Sequence, residues 1–136
     1  MTRVVIDTNV LVSALINRAG KPGVILALVY SGEIKPLVSR QMLREYRDVL
    51  TRPKFRFASE EVKNITGYFN KIVFDMPEAG SFGLTVPADD AVFAAAAVFA
   101  KAEYLITGNK KHFSEIVNAG FSVVTPAEFL TAAGIR

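Results

Sequence analysis

The chain contains no cysteine. Disulfide staples, thiolate zinc sites, iron–sulfur clusters and cysteine nucleophiles are excluded together. Its single histidine, His112, excludes a histidine-rich metal cage. Long apolar runs are missing too. The longest, Ala91 to Ala100, is ten residues, and a membrane-spanning helix needs about twenty. Asp7-Thr8-Asn9 falls where a secretory leader would carry apolar residues. The expectation is a cytoplasmic protein with no membrane partner. Internal repeats, linkers, low-complexity tracts and Asn-Gly hairpin signals are also lacking.

What is present suits one α/β domain over residues 1–136. The chain is 51% hydrophobic and 21% charged, which excludes a disordered polymer. Scaling predicts a native surface of roughly 7,000 Å², about a third of that of the unfolded chain. The formal charge of +3 is mildly basic and compatible with a nucleic-acid partner.

Strand and helix signals alternate. Val4-Val5-Ile6 reads as a buried strand ending at Asp7, and an apolar helix follows from Val10 to Ile16. Pro22 opens a second helix that stops near Gly32. Ile34 to Val38 is a strand, and its Pro36 places it at an edge. Ser39 caps a helix over about Gln41 to Thr51, and Ser59 with Glu60 and Glu61 starts another reaching about Lys71. Ile72-Val73-Phe74 reads as a short strand and residues 76–88 as a loop. Asp89 and Asp90 open a helix to about Lys101. Strands follow over Glu103–Thr107 and Phe121–Val124, and Thr125-Pro126-Ala127-Glu128 has the order of a capped helix start. This alternation predicts a mostly parallel sheet.

Parallel sheets bind ligands outside the carboxyl ends of their strands. Asp7 ends the first strand, and the helix carrying Glu45 follows the second. Asp89 and Asp90 begin a later helix, and Thr107-Gly108-Asn109 closes a strand. Each has an ordinary alternative, because an acid at a strand end or helix start can simply cap a turn or favour the helix dipole. Asn109 could cap a short turn through His112 and Phe113. Glu45 is more informative. It borders the apolar face formed by Met42, Leu43, Tyr46, Val49 and Leu50. Its neighbours three and four residues away are Gln41, Met42, Asp48 and Val49, and none is a cation. Asp48 has Arg44 and Arg52 four residues to either side. A carboxylate in Glu45's position suggests an external cation such as a metal. Arg40, Arg44 and Arg47 fall within about 60° on a helical wheel. Six basic residues stand against two acidic ones between Arg40 and Arg56. With Lys110 and Lys111, they are candidates for phosphate contacts, against the alternative of a solvated charged face.

Four segments resemble the PIN-domain ribonucleases, most closely the bacterial toxin components related to VapC. These are Val5-Ile6-Asp7-Thr8-Asn9-Val10-Leu11-Val12-Ser13-Ala14-Leu15; Ser39 through Glu45-Tyr46 to Val49-Leu50 and Arg52; Asp89-Asp90-Ala91-Val92-Phe93-Ala94-Ala95-Ala96; and Tyr104-Leu105-Ile106-Thr107-Gly108-Asn109. The resemblance implies a three-layer α/β/α sandwich around a parallel sheet. It implies that Asp7, Glu45 and Asp90, with Asp89 beside them, bind Mg²⁺ or Mn²⁺ and that the protein cuts RNA. Asn109 joins the catalytic set. Asn9, Thr8, Ser13 and Thr107 would orient waters or a phosphate oxygen. It implies also an antitoxin partner and a homodimer. The chain departs from the family pattern where many relatives carry a fourth acid: it has Asn109, and His112 three residues on. Two rivals stand beside the nuclease: a PIN-fold module that binds RNA or protein without cutting, and a phosphohydrolase using Asp7 as nucleophile. The second needs another acid two residues on, where this chain has Asn9. Crowded acids without a cation repel, so the site should hold a raised carboxyl pKa.

Overall fold

The computed structural model of the chain describes residues 2–82, 88–113 and 120–134, apart from the side chains of Ala88 and Asp89. Four parallel strands form one sheet: β1 (Thr2–Ile6), β2 (Ile34–Pro36), β3 (Tyr104–Ile106) and β4 (Ser122–Val124), in the order β2-β1-β3-β4. Val4 pairs with Pro36 on one side and Tyr104 on the other, and Ile6 pairs with Ile106. Val4, Val5 and Ile6 are all buried, as a strand covered on both faces requires. β2 lies at an edge, where the missing N–H of Pro36 is tolerated. The accessible surface is 7327 Å², close to the scaling expectation.

The helices are α1 (Thr8–Ile16), α2 (Lys21–Tyr30), α3 (Arg40–Leu50), α4 (Ser59–Ile72), α5 (Ala88–Phe99) and α6 (Pro126–Ala132). They cover the sheet in a three-layer α/β/α sandwich. α5 packs on β1 and β3, α6 on β3 and β4, and α1, α2 and α6 pack in sequence. Ala94, Ala95 and Ala96 are fully buried. Their small side chains let the α5 backbone lie close to the sheet. Gly23 has a similar purpose at the start of α2, where a Cβ would fall 2.1 Å from the Arg18 carbonyl oxygen. Ser39 accepts from the Met42 N–H at 3.1 Å, and Thr125 and Glu128 form a complete capping box.

One expected strand is corrected. Ile72 is the last residue of α4, and Phe74 makes only a single parallel bridge, to Ser39. The chain is already entering α3 at Ser39, so there is no extended partner left to pair with. The expected loop after it holds a 3-10 turn over Ala79–Phe82, and residues 83–87 lie outside the described residues. Among the described residues no single helix is long and apolar enough to cross a membrane.

Candidate active site

The chain runs from β1 outward to β2, then returns to place β3 and β4 on the other side of β1. The strand order therefore reverses between β1 and β3, and the carboxyl ends of these two strands flank a natural crevice. Because Ile6 and Ile106 are paired, the next residues, Asp7 and Thr107, meet there. The Asp7 N–H extends the ladder to the Ile106 carbonyl at 2.9 Å, and Thr107 Oγ1 donates to Asp7 Oδ2 at 2.7 Å.

Asp7 occupies the N-cap of α1 but makes no capping hydrogen bond with its side chain. The turn-capping alternative thus loses its main support. The carboxylate is 5% exposed, and its pKa is raised. Burial is the largest cause, and repulsion from Asp90 adds to it. The Thr107 hydroxyl, the Thr8 backbone and His112 pull the other way. The raised carboxyl expected of a crowded acidic site is present, with burial ahead of crowding as its cause.

A cleft of about 580 Å³ opens beside Asp7. Glu45 and Asp90 line it, as do Thr8, Asn9 and His112. Thr8 Oγ1 donates to Glu45 Oε2 at 3.2 Å. Glu45 is carried by α3, which is pinned to β1 by a short hydrogen bond from the buried Tyr46 hydroxyl to the Ile6 carbonyl. Asp90 comes from the first turn of α5. His112 Nδ1 lies 3.0 Å from Asp90 Oδ2, and its Nε2 lies 2.9 Å from Asn109 Nδ2. With the amide donating to Nε2, the proton sits on Nδ1 and points at Asp90. The Asn109 backbone N–H in turn donates to Thr107 Oγ1 at 3.1 Å. Asn109, His112, Thr107, Asp7 and Asp90 are thus tied into one network.

The cationic side of the cleft comes from Arg52 and Lys54, with Phe55 beside them; both cations belong to the basic run of the sequence, in which Arg40, Arg44 and Arg47 stand out first. Arg52 falls three or four residues at a time along the helical row from Glu45 through Asp48, a signal the sequence does contain. Arg40, Arg44 and Arg47 lie on another stripe of α3, outside the cleft wall. Arg40 pairs with Asp75 at 2.7 Å. Lys110 pairs with Glu128 at 3.1 Å, and Lys111 is exposed. Ser13 is exposed on α1, away from the cleft lining. The Asp89 side chain lies outside the described residues.

Among the described residues no three His, Asp or Glu side chains gather into a ready-made cation cage. The acids instead line one cleft. Oxygen donors of this kind suit a hard divalent cation.

A PIN domain sequence profile matches residues 3–111. The chain is 35% identical over 140 residues to the uncharacterized protein MJ1680 of Methanocaldococcus jannaschii, covering 94% of this chain and 89% of that one. Two solved structures share the fold. VapBC2 from Rickettsia felis, bound to a DNA fragment from its promoter, superposes with a TM-score of 0.59 at 18% identity, over 90% of this chain and 98% of that one. FitAB bound to the IR36 DNA fragment superposes with a TM-score of 0.60 at 17% identity, over 90% and 94%. The chain belongs to the PIN-domain family, whose members are in general nucleases.

Proposed function

We propose that the chain is a divalent-metal-dependent endoribonuclease, the toxin component of a toxin–antitoxin pair, acting as a homodimer. The observation that carries this reading is the convergence of Asp7, Glu45 and Asp90, from distant segments, on one cleft at the switch point of the sheet. The toxin–antitoxin part draws on the likeness to VapBC2 and FitAB, both assemblies on DNA.

Asp7, Glu45 and Asp90 are the residues that would hold Mg²⁺ or Mn²⁺. Such an ion supplies positive charge against a phosphate and acidifies a water for in-line attack. Thr107 fixes the rotation of the Asp7 carboxylate through Oδ2. Thr8 does the same for Glu45. His112 holds Oδ2 of Asp90 in place at 3.0 Å. Arg52 and Lys54 bring positive charge to the phosphate path, with Lys54 Nζ held 5.1 Å over the Phe55 ring. Asn9, exposed on the first turn of α1, is within the same wall and suits a phosphate oxygen.

The test is incubation of the purified protein with single-stranded RNA in Mg²⁺, in Mn²⁺ and in chelator. Metal-dependent fragments ending in 5′-phosphate and 3′-hydroxyl are expected. RNA binding without cleavage in either metal would instead establish the non-cutting module, a reading favoured by Asn109 where an acid is common and by the engagement of Asp90 with His112. His112→Ala is expected to weaken Mn²⁺ binding about 10- to 100-fold, the scale for partners that orient a metal ligand. His112→Asn, which returns an N–H donor near the Nδ1 position, should recover most of it. Calorimetric titration with Mn²⁺ measures both, and equal affinity across all three proteins would remove the positioning role.

A further inference from the structure

A second groove, of about 640 Å³, lies between the end of α3 and the start of α4. Arg47, Arg52, Arg56 and Lys63 line it against one acid, Asp48. Asp48 is itself tied to Arg52 at 2.9 Å. Among the described residues Arg47, Arg56 and Lys63 make no ion pair. The groove therefore presents a net positive field with little internal compensation.

This groove adjoins the acidic cleft. Asp48 and Arg52 belong to the walls of both. Two stacked aromatic rings link the two walls: Phe55 lines the cleft and Phe57 the groove, with centroids 5.3 Å apart and planes 8° from parallel. A ligand reaching the groove from the cleft would pass from carboxylates, over stacked rings, to a row of guanidinium and ammonium groups. That sequence of chemistries matches a single nucleic-acid strand running out of a metal site, whose phosphates pair with Arg and Lys.

We infer that the α3–α4 groove binds the sugar–phosphate backbone of the RNA strand on one side of the cut, with Arg47, Arg56 and Lys63 as the phosphate contacts. The inference rests on the nuclease reading of the adjoining cleft. It predicts that affinity grows with RNA length beyond what the cleft alone accommodates. An acidic protein segment would satisfy the charge, but it would not explain why the groove shares a wall with the acidic cleft.

The test uses the full chain carrying Asp7→Asn, in chelator, so that RNA stays intact. Binding is measured for single-stranded RNAs of about three and about twelve nucleotides, lengths chosen to fall short of and beyond a typical single-strand site. Adding Arg47→Gln, Arg56→Gln and Lys63→Gln should lower affinity for the longer RNA about tenfold at low salt and reduce its salt slope by about 2, as fewer counterions are released. The shorter RNA should change less than about twofold, since it makes none of those phosphate contacts. An unchanged affinity and slope for the longer RNA, in protein that keeps its thermal midpoint, overturns the groove assignment and leaves the cleft reading intact. So does loss of binding to a poly-glutamate peptide with RNA binding untouched, which assigns the groove to an acidic segment. Failure of the parent protein to bind RNA of either length overturns both readings at once.

Discussion

Asp7→Asn is expected to lower RNA cleavage by at least about a hundredfold, the scale set by losing several kcal/mol of transition-state charge stabilisation. The substitution keeps size and shape, and the new carbonyl can still accept from Thr107, so the buried network survives. Its effect on stability has the opposite sign. The folded pKa of Asp7 is raised by burial first and by Asp90 after it. A carboxyl raised in this way contributes stability below its ordinary value of 3.8, and that contribution is lost as pH rises through the folded value. At neutral pH, without metal, burial of Asp7 therefore opposes folding, and the asparagine removes that opposition. The melting temperature of Asp7→Asn in chelator should equal or exceed that of the parent. In excess Mn²⁺ the order should reverse, because the parent gains binding energy that the variant lacks. A variant that is less stable in chelator, with an undiminished response to Mn²⁺, would make Asp7 a structural residue and take the central acid from the nuclease reading.

Local signals carried much of the fold. The caps at Ser39 and Thr125, Pro36 at an edge and the alternation of elements each depend on a few neighbouring residues, and each is seen. Ile72-Val73-Phe74 had the composition of a strand, but a strand also needs a partner, and among the described residues its one bridge is to Ser39 at a helix start. The site was legible in part. The positions of Asp7, Glu45 and Asp90 after strands, or on the helices behind them, follow from chain order and the rule for parallel sheets. The contact of His112 with Asp90 does not, since it depends on how the 3-10 turn over Lys110–Phe113 lies against α5.

The basic residues show where helical periodicity needs an orientation to be useful. Arg40, Arg44 and Arg47 do share a stripe of α3, but the wheel alone does not say which stripe faces the ligand. Glu45 sets that direction. Following its row leads to Asp48, Val49 and Arg52, all in the cleft wall, and past the end of the helix to Lys54 and Phe55. Only Arg47, at the far edge of its stripe, reaches a groove that joins the cleft.

The largest stability effect is expected at Tyr46, which couples the core to the site. It is 1% exposed and packs on Phe69 and Phe93, with ring centroids at 5.3 and 5.9 Å. Its hydroxyl donates to the Ile6 carbonyl, one residue before Asp7. Burial, with Asp7 and Glu45 nearby, holds that hydroxyl well above the usual tyrosine pKa, so it remains a donor. Tyr46→Ala removes the ring and should cost about 3–5 kcal/mol, a large share of the roughly 5–15 kcal/mol that holds a domain together. Tyr46→Phe keeps the ring and loses only the bond, for about 1–3 kcal/mol. At about 3–5 °C per kcal/mol for a domain of this size, both are resolvable by thermal and urea unfolding. The phenylalanine variant also separates packing from positioning. If the hydroxyl fixes α3, and Glu45 with it, against the end of β1, then Mn²⁺ should raise the melting temperature of Tyr46→Phe by less than it raises that of the parent. A full Mn²⁺ response in a destabilised Tyr46→Phe would show that packing alone sets the distance between Glu45 and Asp7. An unchanged unfolding midpoint would show that the hydroxyl bond adds nothing to stability.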